Sequence, residues 1–145
     1  MAIRLLIVDD ETVIRKVLER HFLAKGYEVV TAIHGKDAIT KLDQQKFDIV
    51  ISDLLMPEMD GFELLRFLRE EYPLIRVIIM TGAVSLDNML ACLRDGAFTF
   101  VTKPLDDLAP LEDAVHISAW VVQGWLEQLA NLQRMKRGGG GKNDV

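Results

Sequence analysis

Cysteine, proline and histidine are scarce in this 145-residue sequence, with one, four and three residues respectively. The single cysteine, Cys92, excludes an intrachain disulfide, so a reduced, cytoplasmic protein is the simplest expectation. The histidines are scattered without metal-ligand spacing. No apolar run is long enough for a signal peptide or a membrane span, and no glycine-rich loop for a nucleotide follows the first run. The net charge of −5 argues against broad binding to nucleic acid or an anionic membrane.

What the sequence does contain is a regular alternation of short apolar runs with segments of helical period. The runs are continuous, as expected of strands buried on both faces of a parallel sheet. The length fits one domain, and the alternation predicts right-handed crossovers with helices on both faces, an α/β doubly wound fold. Strands are predicted at residues 3–8, 28–32, 48–52, 76–80 and 98–101, and helices at residues 11–25, 36–45, 62–71, 86–94 and from about 107 to 137.

Polar residues stand at the ends of four of the five predicted strands. Asp9 and Asp10 follow the first strand, Asp53 the third, Thr81 the fourth and Lys103 the fifth. Open α/β sheets bind ligands beyond the carboxyl ends of their strands, at the point where the strand order reverses. In the flavodoxin-like order 2-1-3-4-5 this point lies between strands one and three. That order would bring the three aspartates together, with Thr81 and Lys103 alongside.

Three clustered carboxylates repel one another unless a cation compensates them. Mg²⁺ binds carboxylates and phosphate oxygens, a lysine ammonium suits another phosphate oxygen, and an aspartate can be the nucleophile in phosphoryl transfer. The set therefore indicates Mg²⁺-assisted phosphoryl chemistry on an aspartate. Taken singly, each residue is more often a turn residue, a solvated charge or, for Asp9 or Asp10, a helix cap. Their joint placement at four strand ends favours the site.

Four motifs carry a resemblance to a known family. LLIVDDE, DIVISDLLMPEMDGFELL, VIIMTGA and GAFTFVTKPL resemble, in order and spacing, the receiver domain of two-component response regulators, from residue 3 to about residue 120. The resemblance implies that Asp53 accepts a phosphoryl group from the phosphohistidine of a histidine kinase. It also implies that Mg²⁺ is bound by Asp10 directly, by Asp9 through water, by Asp53 and by the backbone carbonyl of Leu55.

The same resemblance implies how the signal leaves the site. Lys103 would contact the phosphoryl group, Thr81 would move its hydroxyl onto that group, and Phe100 would rotate inward with it. The face built from the fourth helix, the fifth strand and the fifth helix would then change for a downstream protein target.

Two further expectations concern positions next to the acceptor. Leu55 and Ala83 are apolar where this family often has polar residues that tune the lifetime of the phosphoryl group, so self-dephosphorylation is expected not to be especially fast. The peptide bond between Lys103 and Pro104 is expected to be cis.

The last predicted helix is longer than a receiver domain needs. Apolar residues at alternating spacings of three and four continue to Leu132, which is a heptad seam. The predicted organisation is a receiver domain at residues 1–120, a helical extension at 121–137 and a disordered tail at 138–145. Because an apolar stripe that includes Trp125 is unfavourable in water, we expect homodimerisation or partner docking through the extension. The alternative is that the helix bends back onto its own domain.

Two other classes of protein compete with a signalling phosphoacceptor. An aspartate-nucleophile phosphohydrolase would carry its nucleophile after the first strand, whereas the candidate here follows the third. A receiver fold used only as a scaffold would not need the full set of acids, threonine and lysine. We therefore expect no enzyme activity beyond the protein's own phosphorylation and dephosphorylation. No DNA-binding output domain is recognisable, so we expect a stand-alone regulator or phosphorelay intermediate, whose kinase and target the sequence does not name.

Overall fold

A five-stranded parallel sheet organises residues 2–82, 85–103 and 106–139, the part of the chain that this computed structural model describes. The strand order is β2-β1-β3-β4-β5, and every neighbouring pair is parallel. The predicted α/β fold and strand order are therefore confirmed. The elements are β1 (Arg4–Val8), α1 (Thr12–Ala24), β2 (Glu28–Ala32), α2 (Gly35–Gln44), β3 (Ile49–Asp53), α3 (Gly61–Glu71), β4 (Arg76–Thr81), α4 (Leu86–Arg94), β5 (Thr99–Thr102) and α5 (Ala109–Gly139).

The continuous apolar runs of the strands are explained by burial on both faces of the sheet. In β1, Leu5 and Ile7 belong to the core layer that α1 and α5 cover. Leu6 and Val8 belong to the opposite layer, which α2, α3 and the buried Cys92 of α4 cover. Because helices cover both faces, polar groups that the strands carry can reach solvent at the strand ends, which is where the candidate residues stand.

The helix ends follow the local sequence. The carboxylate of Asp60 accepts the N–H of Glu63 at 3.0 Å and caps α3, and the hydroxyl of Ser85 accepts the N–H of Asn88 at 3.1 Å and caps α4. Gly26 follows α1 with φ at +95°, a left-handed conformation that ends a helix readily at glycine. All element boundaries before α5 agree with the predicted ones to within one residue.

The final helix, α5, begins and ends later than predicted. It starts at Ala109, and the carboxylate of Asp107 accepts the N–H of Ala109 at 2.9 Å from outside the helix. The helix continues through Gly138 and Gly139, the first residues of the predicted tail, and residues 140–145 lie outside the described part of the chain. Among the described residues, no helix combines the length and the hydrophobicity needed to cross a membrane.

The first part of the predicted extension packs on its own domain. Val122 is buried, and Trp125 and Leu126 contact the same core layer. The guanidinium carbon of Arg76, at the start of β4, lies 4.6 Å from the centroid of the Trp125 ring, a cation–π contact. The alternative, in which the helix packs back onto its own domain, therefore holds through Leu126, and dimerisation or docking stays a prediction only for the residues beyond it. Beyond it, three large apolar side chains are more than half exposed: Leu129 at 51%, Leu132 at 58% and Met135 at 70%.

Candidate functional site

Three aspartates meet at the carboxyl-terminal edge of the sheet, where the strand order reverses. Asp9 follows β1, Asp53 is the last residue of β3, and β1 pairs directly with β3. Asp9, Asp10 and Asp53 each offer a carboxylate oxygen, and these three atoms lie within 4.8 Å of one another. Strand pairing thus brings together residues that are more than forty positions apart in the chain.

Lys103 links two of these carboxylates. Its Nζ atom donates to Oδ2 of Asp9 at 2.7 Å and to Oδ2 of Asp53 at 3.1 Å. The carboxylate of Glu11 lies 3.5 Å from the same nitrogen. The lysine side chain is only 11% exposed, so the ion pairs are formed largely out of contact with water. The ammonium therefore compensates part of the negative charge of the cluster.

Asp53 occupies a buried and hydrogen-bonded position. Its Oδ1 atom accepts the N–H of Leu54 at 2.8 Å, and the Ser52 hydroxyl donates to its backbone carbonyl at 2.9 Å. Burial raises the pKa of the Asp53 carboxyl above its ordinary value. The hydrogen bond and charge of Lys103 oppose this shift of the pKa, and the charge of Asp9 adds to it. Because the net pKa is raised, additional positive charge at this place would stabilise the carboxylate.

Lys103 retains its charge in this environment. Burial by itself disfavours the ammonium, but the hydrogen bonds and charges of Asp9 and Asp53 outweigh burial and raise the pKa of Lys103 above its ordinary value. The ammonium has three N–H donors, of which two serve these carboxylates. The site thus contains a cation between two acids at neutral pH.

Asp9 and Asp10 lie in different environments although they are neighbours in sequence. The side chain of Asp9 is fully buried; its Oδ2 atom accepts from Lys103, and its Oδ1 atom accepts the N–H of Glu11 at 2.8 Å. Arg15 donates to the backbone carbonyl of Asp9 at 2.6 Å. Asp10 is exposed. Both carboxylate oxygens of Asp9 are therefore engaged within the protein, whereas the carboxylate of Asp10 is accessible from solvent.

The donor set fits a hard divalent cation. The three candidate side-chain ligands, Asp9, Asp10 and Asp53, are carboxylates, and magnesium prefers oxygen ligands whereas softer metals prefer nitrogen or sulfur. Leu55 lies two residues past Asp53 in the loop that follows β3, with 57% of its surface exposed. Asp10 and Leu55 are therefore exposed to solvent, whereas Asp9 is buried.

Of the remaining predicted residues, Thr81 lies at the end of β4 and Phe100 lies in β5. Thr81, the last residue of β4, is 2% exposed, and its carbonyl accepts the N–H of Lys103 at 2.8 Å. Phe100 of β5 is half-buried against the core layer that α2, α3 and α4 cover. Ala83, which was linked to the phosphoryl lifetime, and Pro104, for which a cis peptide bond was predicted, lie outside the described residues.

Glu11 and Gly61 also contribute to the site. The place of Gly61 before a helix predicts positive φ or close packing there, whereas the motifs alone gave Glu11 no role. The exposed Glu11 is a third acidic partner of Lys103. A Cβ atom at Gly61 would lie only 2.4 Å from the carbonyl oxygen of Asp53, so glycine is needed for this close approach. The signal for Gly61 is its place after Asp60 at a helix start, whereas the role of Glu11 depends on the position of a lysine 92 residues away.

Comparison with known proteins agrees with this geometry. The chain matches the response regulator receiver domain family over residues 5–116. The transcriptional regulatory protein GlrR of Escherichia coli (strain K12) is 40% identical over 118 residues, which are 79% of this chain and 27% of GlrR. This chain thus spans about a quarter of the length of the curated relatives it matches.

Two solved structures share the architecture. The chemotaxis protein CheY4 of Vibrio cholerae is 28% identical with a TM-score of 0.72, over 84% of this chain and 99% of that chain. The response regulator protein TrrA of Thermotoga maritima, solved in complex with Mg(2+)-BeF, is 29% identical with a TM-score of 0.72, over 80% of this chain and 98% of that chain. Because almost all of each of those chains is covered, each of those proteins matches this chain over its whole fold rather than over a single motif.

Proposed function

The chain belongs to the response regulator receiver domain family, and from this premise we propose that it is the phosphoacceptor of a two-component or phosphorelay pathway. Asp53 accepts the phosphoryl group from the phosphohistidine of a histidine kinase or a phosphotransfer protein. The observation that carries the proposal is the Lys103 ammonium held between Asp9 and Asp53 at 2.7 and 3.1 Å. It supports the proposal because the ammonium could compensate new negative charge beside Asp53.

In the proposed transfer, a carboxylate oxygen of Asp53 bonds to phosphorus as the phosphorus–nitrogen bond of the phosphohistidine breaks. The electron pair of that bond remains on the imidazole nitrogen, and the product is an acyl phosphate on Asp53. Oδ1 of Asp53 accepts from Leu54 and Oδ2 accepts from Lys103, so the carboxylate is oriented before a donor arrives. Orientation and electrostatic stabilisation supply most of the catalysis in phosphoryl transfer.

Mg²⁺ is the cofactor that the site fits. When bound, the ion would neutralise charge on the phosphoryl oxygens during transfer. Asp10, Asp53 and the backbone carbonyl of Leu55 would bind it directly, and Asp9 would act through water. The exposure of Asp10, in contrast to the full burial of the Asp9 side chain, supports this division between the two neighbouring acids. The TrrA complex with Mg(2+)-BeF supports the same ion.

Lys103, Thr81 and Phe100 would convert the modification into a change at the surface. Phosphorylation adds about −1.5 to −2 charge, so the Lys103 ammonium would pair with the phosphoryl oxygens, and the Thr81 hydroxyl would hydrogen-bond another. Thr81 and Phe100 lie in neighbouring strands, since Phe100 pairs with Ile79. A shift of Thr81 would therefore change the packing around Phe100, which is only half-buried.

The downstream partner is proposed to be a protein that binds the face of α4, β5 and α5. Large apolar side chains are exposed on α4 and α5, among them Leu86 at 71% and Ile117 at 50%, and such a surface suits protein contact. We propose that the chain acts by contact with this partner, in the cytoplasm. GlrR is a much longer chain, so its transcriptional role is not carried over.

The exposed end of α5 is proposed to mediate homodimerisation. Leu129, Leu132 and Met135 continue the apolar stripe beyond the part that packs on the domain. A helix with such a stripe gains stability when a second copy covers it. The rest of the extension, through Leu126, belongs to the receiver domain itself.

The competing enzyme function, an aspartate-nucleophile phosphohydrolase, has less support. Its nucleophile would follow β1, whereas the proposed acceptor, Asp53, is the last residue of β3. Turnover of a generic phosphomonoester would favour this competing function. With Leu55 apolar, we also propose a phosphoryl lifetime well beyond a few seconds, and a measured half-life of a few seconds would contradict it.

Phosphorylation with acetyl phosphate and Mg²⁺ tests the proposal. Intact mass should show one phosphoryl group per chain, and peptide mapping should locate it on Asp53. Asp53→Asn should accept none, while Asp43→Asn, an exposed acid on α2, should behave as the unmodified chain. Phosphorylation that persists in Asp53→Asn, or that proceeds equally well in excess EDTA, would refute this assignment.

A further inference from the structure

The loop after Asp53, residues 54–60, has a constrained conformation. At its end, the N–H of Gly61 donates to the carbonyl of Leu54 at 2.8 Å and closes the loop. Within it, Glu58 has φ at +70°, and it is the one non-glycine residue with positive φ in the described part of the chain. Non-glycine residues adopt this left-handed region at an energetic cost. Such a conformation persists when the surrounding structure imposes it.

The contacts that impose it come from the first turn of α2. The N–H of Gly35 donates to the carbonyl of Met59 at 3.2 Å, and Nζ of Lys36 lies 3.1 Å from Oε2 of Glu58. The hydrogen bond and charge of Lys36 lower the pKa of Glu58 and so favour its ionised carboxylate. The ion pair with Lys36 thus holds Glu58, the left-handed residue, and the hydrogen bond from Gly35 holds its neighbour Met59.

Glycine is required at position 35. A Cβ atom there would lie 2.6 Å from Cγ, 2.7 Å from Cβ and 2.7 Å from the backbone oxygen of Met59. Because one of these atoms belongs to the backbone, a change of the Met59 rotamer does not relieve the overlap. In contrast, a Cβ at Gly124 on α5 would meet nothing within 4 Å. Any larger residue at position 35 must therefore displace the loop.

The first turn of α2 is itself anchored by a reciprocal cap. Nδ1 of His34 accepts the N–H of Asp37 at 3.2 Å, and the carboxylate of Asp37 accepts the N–H of Ile33 at 3.0 Å. This arrangement connects the helix to the end of β2, which is fixed in the sheet beside β1. The first turn of α2 is therefore fixed to the sheet, and it can hold residues 58 and 59 of the loop in place.

We propose that the first turn of α2, through Gly35 and Lys36, positions the loop that carries the backbone carbonyl of Leu55 and thereby sets the affinity of the acceptor site for Mg²⁺. The inference rests on the proposed function, in which Asp53 and the Leu55 carbonyl are ligands of the ion. Gly35 and Lys36 act through the loop and are positioning residues. Loss of their support lets the carbonyl leave the place where it completes the metal site.

Calorimetric titration with Mg²⁺ alone tests the role of Gly35. Gly35→Ala is expected to weaken Mg²⁺ binding roughly 10-fold, as losses of outer support do at metal sites. The rate of phosphorylation by acetyl phosphate at saturating Mg²⁺ is expected to stay within about 2-fold, because the acceptor itself is untouched. Gly124→Ala is the matched control and should leave both quantities unchanged. A folded Gly35→Ala protein with unchanged Mg²⁺ affinity would overturn the proposal.

Lys36→Met keeps the test decisive if Gly35→Ala does not fold. Loss of the positive charge of Lys36 would by itself strengthen Mg²⁺ binding, whereas loss of its contact with the loop should weaken it. The two explanations therefore predict changes of opposite sign in the Mg²⁺ affinity. Since the ion pair is exposed, we expect weakening of roughly 2- to 4-fold at physiological ionic strength. Lys46→Met, which removes an exposed lysine elsewhere, should leave the affinity unchanged. Equal or tighter binding by Lys36→Met would contradict the positioning role.

These measurements separate the two proposals. A chain that binds Mg²⁺ but gains no phosphoryl group on Asp53 refutes the proposed function, while the binding data for the variants still decide the role of α2. A chain that is phosphorylated normally, with Gly35→Ala and Lys36→Met indistinguishable from it in Mg²⁺ affinity, refutes only the positioning role. A chain that binds no Mg²⁺ refutes both.

Discussion

The Nζ atom of Lys103 lies 3.1 Å from Oδ2 of Asp53, although β4 separates β5, which precedes the lysine, from β3, which ends in the aspartate. Neighbouring strands are about 4.8 Å apart, so the lysine side chain crosses the end of a whole strand to make this contact. Both side chains are nearly buried, at 11% and 10% exposure. The charge balance of the aspartate cluster therefore depends on a contact between the ends of non-adjacent strands.

Replacement of Lys103 by methionine should destabilise the fold and disable the site. The buried carboxylates of Asp9 and Asp53 would lose their cation, and breaking a buried ion pair by removing one partner costs about 3 kcal/mol or more. Urea denaturation at pH 7 without Mg²⁺ measures the loss. Lys36→Met, at an exposed ion pair, is the control and should change the unfolding free energy by about 0.5 kcal/mol or less. Equal effects of the two variants would contradict the burial-based argument.

Asp53→Asn should change how stability depends on pH. Because the pKa of Asp53 is raised in the folded state, the unfolded chain loses this proton first as pH rises. Between about pH 4, near the unfolded pKa, and the raised folded pKa, the folded state holds more protons, so this residue lowers stability as pH rises. Asparagine does not titrate. The unfolding free energy of Asp53→Asn relative to the unmodified chain should therefore rise across this window in EDTA and then level off; a falling difference would contradict the assigned shift.

Magnesium should stabilise the folded chain through the aspartate cluster. A ligand that binds only the folded state at 100 times its Kd adds about 2.7 kcal/mol. Thermal unfolding with increasing MgCl₂ should thus show a rising Tm that EDTA reverses. Asp10→Asn removes the exposed carboxylate of the cluster and should abolish most of the rise. Asp43→Asn should retain it, and a rise of equal size in both variants would indicate a non-specific salt effect.

Replacement of the two tryptophans of α5 by alanine should change stability by very different amounts. Trp125 packs on the domain core beneath Arg76, so Trp125→Ala should lower the unfolding free energy by about 2 kcal/mol. Trp120 is 73% exposed, so Trp120→Ala should change it by about 0.5 kcal/mol or less. Chemical denaturation of both variants makes the comparison. Similar small effects would mean that the extension leaves the domain in solution.

The mass of the chain in solution tests the proposed dimer. Replacing Leu129, Leu132 and Met135 together by glutamine removes the exposed stripe but leaves the residues that pack on the core in place. Sedimentation equilibrium should show the dimer for the unmodified chain and a monomer for the triple variant. Identical monomer masses would rule out self-association through this helix. Truncation after Ala119 is less suitable, because it also removes Val122 and Trp125 from the core.

The order of elements could be derived from the sequence because it depends on local periodicity and caps. Residues 76–80 and 86–94 fall inside β4 and α4 as predicted, and the Ser85 cap is formed. The course of α5 could not be derived in the same way. A heptad stripe that includes Trp125 looks the same whether a second chain or the domain covers it, and the choice depends on Arg76, 49 residues earlier in the chain.

The sequence by itself determined the fold class, the strand order through its family resemblance, and which side chains stand at the strand ends, because apolar runs and the residues that follow them are local features. Only the tertiary structure decided that Asp9 is closed off while Asp10 is exposed, that Lys103 joins Asp9 to Asp53, and that the turn at Gly35 supports the acceptor loop. These relationships join segments far apart in the chain. The burial of these side chains and the distances between them follow from how the sheet and its helices pack. They cannot be derived from the spacing of residues in the sequence.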